Sequence, residues 1–262
     1  MYTQKKDKEE ELNVHKIAIS PNTKMQYFGG KARIANQICE YLNSVRKPNQ
    51  VFLEPMCGGL NITSKIGGEI IACDYNKYII ALYNAILKGY ELPDYISEEE
   101  YYELKYNKEK DEILAGFVGF GCSYSGKFFG NYAKNNTGRN YCKNAKNSLM
   151  RKFNSIDKNN IQFIHSNYKD LKPIGYLIYC DPPYKSNTQS TMQSYGVEEF
   201  DSSLFWDVMR EWSKDNDVYI SEYEAPKDFE CVLEIPTKTD IRCIGDKKQI
   251  RIERIFKYKE QS

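Results

Sequence analysis

Among the short runs of this 262-residue chain whose residue types and spacing can do chemistry, the most specific is Asp181-Pro182-Pro183-Tyr184. It directly follows the apolar, β-rich run Tyr176 to Cys180, which places it at a strand's carboxyl end. Chance would put such a tetrapeptide into a chain of this length on the order of once in a thousand. Two prolines fix φ and supply no N–H, so their carbonyl oxygens can face a pocket. Together with the Asp181 carboxylate, the Pro182 carbonyl makes a pair of acceptors. That pair suits an exocyclic amine on a nucleobase, a poor nucleophile because its lone pair is delocalised into the ring. Accepting both N–H protons helps the nitrogen turn tetrahedral as it takes a methyl group. Tyr184 would stack on the base once it is flipped out of its duplex. The plain alternative is a turn in which two prolines stop a strand.

Three further runs are weaker when read alone. Gly29-Gly30, before a helical pattern that begins near Lys31, lets a ligand approach backbone N–H groups at a helix N-terminus, although a glycine turn also accounts for it. Glu54 to Gly59 forms a glycine-containing loop behind the apolar run Val51 to Glu54. Asp74 ends the next apolar run about 20 residues later, the spacing at which an acid reaches ribose hydroxyls in Rossmann-like folds. An isolated Asp there is more often a helix cap. The eight cysteines include no C-x-x-C pair and there are only two histidines, so no metal site is expected. Most of the cysteines lie in apolar runs as small buried side chains, which fits a reducing compartment.

The elements that must position these residues follow from periodicity. Strand-like runs recur at Val51 to Glu54, Glu69 to Cys73, Ile161 to His165, Tyr176 to Cys180, Val218 to Ser221, Cys231 to Ile235 and Ile250 to Tyr258. Helical spacing appears between them, at Ile34, Ile38, Leu42 and Val45 and again at Leu204, Phe205, Val208, Met209 and Trp212. Ser97 with Glu100 reads as a capping box, and Gly89 as the end of a helix over 77–88. Alternating strands and helices predict an α/β fold with a mostly parallel sheet, whose ligands bind at the carboxyl ends of the strands. Between Cys73 and Ile161 the interval is far longer than a crossover needs. Residues 90–156 are therefore expected to be an inserted, mainly helical subdomain, with 1–89 and 157–262 forming the main domain.

Charge supports that division. The net charge of +1 argues at first against a polyanion partner, but it is an average over blocks. From Ile113 to Ile156 there is no Asp or Glu, and seven basic residues stand there: Lys127, Lys134, Arg139, Lys143, Lys146, Arg151 and Lys152. Residues 91–112 carry −6 and residues 198–230 carry −8. The basic block is expected to meet phosphates, with Lys127, Lys134 and Arg139 as DNA-contacting candidates and the acidic blocks lying away from the duplex. Of its aromatics, Tyr124, Phe128, Phe129, Tyr132 and Tyr141, most are expected in a core. No apolar run reaches the roughly 20 residues that span a bilayer, so neither secretion nor membrane insertion is expected.

Taken in order, these motifs resemble the D12 class of DNA adenine-N6 methyltransferases, the Dam-like enzymes, in the motif order of their α group. Tyr27-Phe28-Gly29-Gly30-Lys31 is similar to the family's aromatic-x-Gly-Gly-Lys, and Phe52-Leu53-Glu54-Pro55-Met56-Cys57-Gly58-Gly59 to its Phe-x-Glu-Pro-Phe-x-Gly-x-Gly. Asp74-Tyr75-Asn76 matches an Asp-x-Asn, Asp181 to Tyr184 the catalytic motif, and Ser221-Glu222-Tyr223 a Ser-x-Tyr-like segment. The resemblance implies a class I (Rossmann-like) methyltransferase with an inserted recognition region. It implies S-adenosyl-L-methionine as cofactor, bound through Tyr27, Gly30, Lys31, Glu54, Gly58, Asp74 and Asp181, and catalysis at Asp181, Pro182, Pro183 and Tyr184. It departs from the family at Met56, where phenylalanine is usual, at Leu60, where the last glycine stands, and across Gly121 to Lys127, so no target sequence carries over.

The expected activity is therefore methyl transfer to N6 of a flipped adenine in duplex DNA. Cytosine N4, an RNA base, or a DNA-binding relative without turnover remain as alternatives. Double-stranded DNA is the expected partner, with no membrane and no obligatory protein partner. The expected location is the cytoplasm of a bacterial cell or phage-infected host. An orphan, a phage-borne enzyme and the modification half of a restriction system fit the sequence equally.

Overall fold

In a computed structural model that describes residues 30–135, 138–183, 200–238 and 250–259, the apolar runs become one seven-stranded sheet. Its strands are β1 (Phe52–Glu54), β2 (Ile70–Asp74), β3 (Ile161–His165), β4 (Leu177–Cys180), β5 (Asp217–Glu222), β6 (Phe229–Lys238) and β7 (Ile250–Tyr258). Their spatial order is β3-β2-β1-β4-β5-β7-β6. The first five are parallel, and β7 runs antiparallel to both β5 and β6. Strands β6 and β7 therefore form an antiparallel pair, with β7 inserted between β5 and β6.

Alternate residues of the central strands feed two cores. Phe52, Ala72, Leu177 and Tyr179 face one, and Leu53, Cys73, Ile178 and Cys180 face the other. All eight are almost fully buried, the continuous apolarity that a parallel sheet covered on both faces demands. Against the first face pack α1 (Ala35–Val45), α2 (Lys77–Leu87), α4 (Glu112–Gly121) and α5 (Tyr141–Ser155), and against the second packs α6 (Ser202–Trp212).

Local chemistry sets the helix ends. Asn76 caps α2 by accepting from the Tyr78 and Ile79 N–H groups, and Asp201 caps α6 by accepting from Ser203 and Leu204. The Ser97–Glu100 box opens α3 (Glu98–Tyr106) with both reciprocal hydrogen bonds made. Helix α1 begins at Ala35, beyond the start near Lys31 that the sequence suggests. A turn in which Ile34 N donates to Lys31 O at 3.0 Å precedes it, and Lys31 enters the interior from that turn rather than from a helix face.

Residues 90–156 are mainly helical, and their helices share the core of the sheet. Phe117, Val118, Phe120, Leu149 and Phe153 belong to the same buried cluster as Ile38, Leu42 and Tyr83. Helix α4 crosses α2 so closely that a Cβ on Gly116 would stand 2.2 Å from the Tyr78 carbonyl oxygen. The aromatics sort largely as expected. Phe129 is buried against Tyr101, Phe128 lies 4.8 Å from Phe120, and Tyr124 is 66% exposed.

Candidate active site

Strand order reverses between β1 and β4, which lie side by side, so a crevice opens beyond their carboxyl ends. Glu54 ends β1, Asp74 ends β2 and Asp181 follows β4 directly. Three carboxylates thus converge on one edge because each closes an apolar run of the sequence.

At Asp181 the partner is Lys31. Its ammonium donates to Asp181 Oδ1 at 2.7 Å, and Glu253 Oε2, brought in by β7, stands 3.8 Å from the same nitrogen. The Lys31 side chain is 5% exposed and that of Asp181 19%, so the pair is largely desolvated but the carboxylate still reaches the crevice. Burial pulls the Lys31 ammonium down, but Asp181 and Glu253 together outweigh it and leave the group above its ordinary value. Burial also raises the Asp181 carboxyl, with Lys31 pulling the other way. Among the described residues nothing donates to Asp181 Oδ2. Tyr223 donates its hydroxyl to Glu253 Oε1 at 3.2 Å, and beneath the site Tyr179 and Ser221 share a buried hydrogen bond of 2.9 Å.

The loop after β1 is pinned to Asp74. Asp74 Oδ2 accepts from Gly58 N and its Oδ1 from Asn76 N, each at 2.9 Å. A carboxylate oxygen has a second lone pair, so these bonds leave Asp74 able to accept from a hydroxyl as well. Burial pushes its carboxyl up to about 6 against those two hydrogen bonds. Glu54 is 3% exposed and its Oε2 accepts from both the backbone N–H, at 2.9 Å, and the hydroxyl of Thr63. Burial, reinforced by Asp181 and Asp74, pushes Glu54 up to about 8 despite Thr63. Gly58 has φ +40°, and the Tyr83 hydroxyl holds its carbonyl at 2.6 Å.

Of the residues singled out from the sequence, Lys31 and Asp181 meet directly, Gly58 and Asp74 meet directly, and Glu54 lies within electrostatic reach of both acids. Gly30 precedes Lys31 on the exposed approach to α1, and Pro182 and Pro183 follow Asp181. Tyr27, Phe28, Gly29 and Tyr184 lie outside the described residues. Sequence reasoning missed Glu253, Thr63 and Tyr83. Tyr223 was flagged only by the Ser-x-Tyr segment, and nothing in the alternating run Ile250 to Tyr258 marks Glu253 out.

The basic block is less bare than its composition suggests. Lys134 is paired with Glu98 at 2.9 Å, and Asp94 lies 2.7 Å from Lys146 and 3.6 Å from Lys143. Both acids come from the acidic block at 91–112, which therefore folds back onto the basic one instead of lying apart from it. Arg139 stacks over the Tyr141 ring at 4.9 Å, and Lys127 is half-buried. Among the described residues no group of His, Cys, Asp or Glu could hold a metal ion, and no helix is long and apolar enough to cross a membrane.

A parallel sheet extended by a reversed last strand, with acidic residues ending β1 and β2 and an Asp-Pro-Pro after β4, is the class I, Rossmann-like methyltransferase fold. The family model of the D12 class N6 adenine-specific DNA methyltransferases matches residues 27–250, and the chain belongs to that family. It is also similar to the type II methyltransferase M.FokI of Planomicrobium okeanokoites, at 27% identity over an alignment of 215 positions that covers 71% of this chain. The chain spans about a third of that relative's length, 32%. Similar solved structures include the tRNA (m1A58) methyltransferase TrmI of Aquifex aeolicus (TM-score 0.36, 12% identity, 87% of this chain and 68% of that one). Another is the precorrin-6y C5,15-methyltransferase of Geobacter metallireducens (TM-score 0.36, 7% identity, 89% and 93%).

Proposed function

We propose that the chain transfers the methyl group of S-adenosyl-L-methionine to N6 of an adenine flipped out of duplex DNA. The observation that carries this reading is the placement of Asp181. It is a carboxylate directly after β4, with one oxygen fixed by a buried lysine and the other without a donor among the described residues.

The residues at the crevice fit the cofactor. Three carboxylates whose proton affinity burial raises, that of Glu54 further through Asp181 and Asp74, favour a ligand bringing positive charge and hydroxyl donors, and S-adenosylmethionine has both a sulfonium and a ribose. Asp74 with the Gly58 loop would take the ribose side, and Gly30, Lys31, Glu54 and Asp181 would line the rest, joined by Tyr27. When bound, the cofactor supplies an electrophilic methyl group on sulfur.

The protein's own part is positioning and preorganised electrostatics. Lys31 holds Asp181 Oδ1 in a single orientation. Oδ2 then accepts a hydrogen bond from one N6–H and the Pro182 carbonyl one from the other, so the nitrogen lone pair is freed as the new N–C bond would form and the methyl's bond to sulfur would break, its electron pair staying on sulfur. The proton lost from N6 passes to Asp181 and on to water. Pro183 keeps the turn rigid, and Tyr184 stacks on the base. Residues 90–156 serve as the recognition segment, with Lys127, Lys134 and Arg139 toward phosphates, and a cytoplasmic setting suits a DNA substrate.

Expression in a methylation-deficient bacterium, followed by modification-sensitive sequencing of its genome, tests the reading. N6-methyladenine at a defined motif supports it, and N4-methylcytosine or unmodified DNA contradicts it.

A further inference from the structure

Lys152 belongs by composition to the acid-free basic block, the segment whose charge points to DNA phosphates. In the fold it faces elsewhere. Its ammonium donates to the Gly59 carbonyl and, at 2.9 Å, to Asn61 Oδ1, reaching from α5 to the loop after β1. From the same end of α5, Ser155 Oγ donates to the Ser64 carbonyl at 2.8 Å.

That loop needs outside support. Leu60 adopts φ +55°, in the left-handed region that a side chain disfavours, and it stands where the family has a glycine. Its side chain is fully buried, which keeps the residue in place, and Lys152 fixes the carbonyl immediately before it. The rest of the loop is held from other elements. Cys57 N donates to Cys73 O at 2.8 Å, Gly58 N to Asp74, and the Tyr83 hydroxyl to Gly58 O. Two successive loop carbonyls, those of Gly58 and Gly59, are thus each held by a side chain of a helix, Tyr83 of α2 and Lys152 of α5.

We infer that Lys152 is a positioning residue for the cofactor loop rather than a contact to the DNA backbone. It clamps the strained turn at Leu60 so that the Gly58 side of the loop presents a fixed surface to the ligand. The inference rests on the proposed function in taking this loop as the S-adenosylmethionine loop.

The test compares Lys152→Met, which keeps the apolar stem, with Lys152→Arg, which keeps a charged donor, in the full chain. Binding of S-adenosylhomocysteine is measured by calorimetry, binding of an arbitrary duplex by fluorescence anisotropy, and amide exchange over 57–64 in the ligand-free protein. Lys152→Met is expected to weaken S-adenosylhomocysteine about tenfold, as for lost hydrogen bonds from a charged donor, and to speed loop exchange while leaving duplex affinity in place. Lys152→Arg is expected to restore most of both. Unchanged cofactor affinity and loop exchange in Lys152→Met would overturn the inference. So would a selective loss of duplex binding, or an equal loss of all three with lowered thermal stability in both variants. If the unsubstituted chain binds no S-adenosylhomocysteine, the proposed function fails, while the exchange measurement still decides whether Lys152 clamps the loop.

Discussion

Lys31 Nζ lies 2.7 Å from Asp181 Oδ1, joining side chains 150 positions apart in the sequence. The turn before α1 and the end of β4 are tied together by this contact, and Glu253 of β7 brings a second carboxylate to 3.8 Å from the same ammonium. Lysine and aspartate here act as one device, in which the cation orients the acid and offsets part of the rise in its proton affinity that burial causes.

Replacing Lys31 by Met should therefore disturb more than binding. Removing one partner of a largely buried pair costs about 3 kcal/mol, readable as a shift in the urea unfolding midpoint. Because Lys31 holds the Asp181 carboxyl down, its loss lets that carboxyl rise further. The acid limb of the pH–rate profile should then move to higher pH, with the activity deficit largest at low pH. An unchanged limb would show that Lys31 does not control Asp181.

Glu54 makes a separate prediction about stability. Its carboxyl is raised to about 8, so between the ordinary carboxylate range and that value the folded chain holds a proton that the unfolded chain has released. Folding then loses stability as pH rises through this window, by at most about 1.4 kcal/mol per unit for one proton, and Asp74, raised to about 6, adds to the slope at its lower end. Denaturant titrations of the ligand-free protein at several pH values should show the decline, and Glu54→Gln should flatten it. A stability that is level or rises from pH 5 to 8 would contradict the assignment.

Asp94 and Glu98 mask part of the basic face. Both ion-pair regions are exposed, so Asp94→Asn with Glu98→Gln should change folding stability little. The double substitution frees Lys134, Lys143 and Lys146 for phosphates. Duplex binding by fluorescence anisotropy should tighten several-fold at about 50 mM salt, with a steeper fall toward about 200 mM. Binding that does not respond would place the DNA on another face.

Much of this arrangement was legible in the sequence, because its local signals are strong. The seven strand-like runs match the seven strands to within a residue or two, except at β6, whose paired stretch extends from Phe229 to Lys238. There, pairing with β7 carries the strand beyond the apolar stretch Cys231 to Ile235. The acids that close β1, β2 and β4 were visible for the same reason, each standing at the edge of an apolar run. Partnerships were not visible. Composition shows that Ile113 to Ile156 lacks acids, but only tertiary folding brings Glu98 to Lys134 and Asp94 to Lys146. Lys152 is indistinguishable by type from its neighbours until α5 turns it toward Gly59. Glu253 sits in an alternating strand whose pattern says only which face is buried, not that β7 would lie beside β5 and deliver it to Lys31.

The central claim is that the Asp181 carboxylate accepts a proton from adenine N6. Its most direct test is to incubate duplex DNA and S-adenosylmethionine with the chain and with its Asp181→Ala variant, digest the DNA and quantify methylated nucleosides. The unsubstituted chain is expected to yield N6-methyladenine and the variant at least about 100-fold less, with duplex affinity retained. Substantial N6-methyladenine from Asp181→Ala, or a methyl group on any other atom, would contradict it.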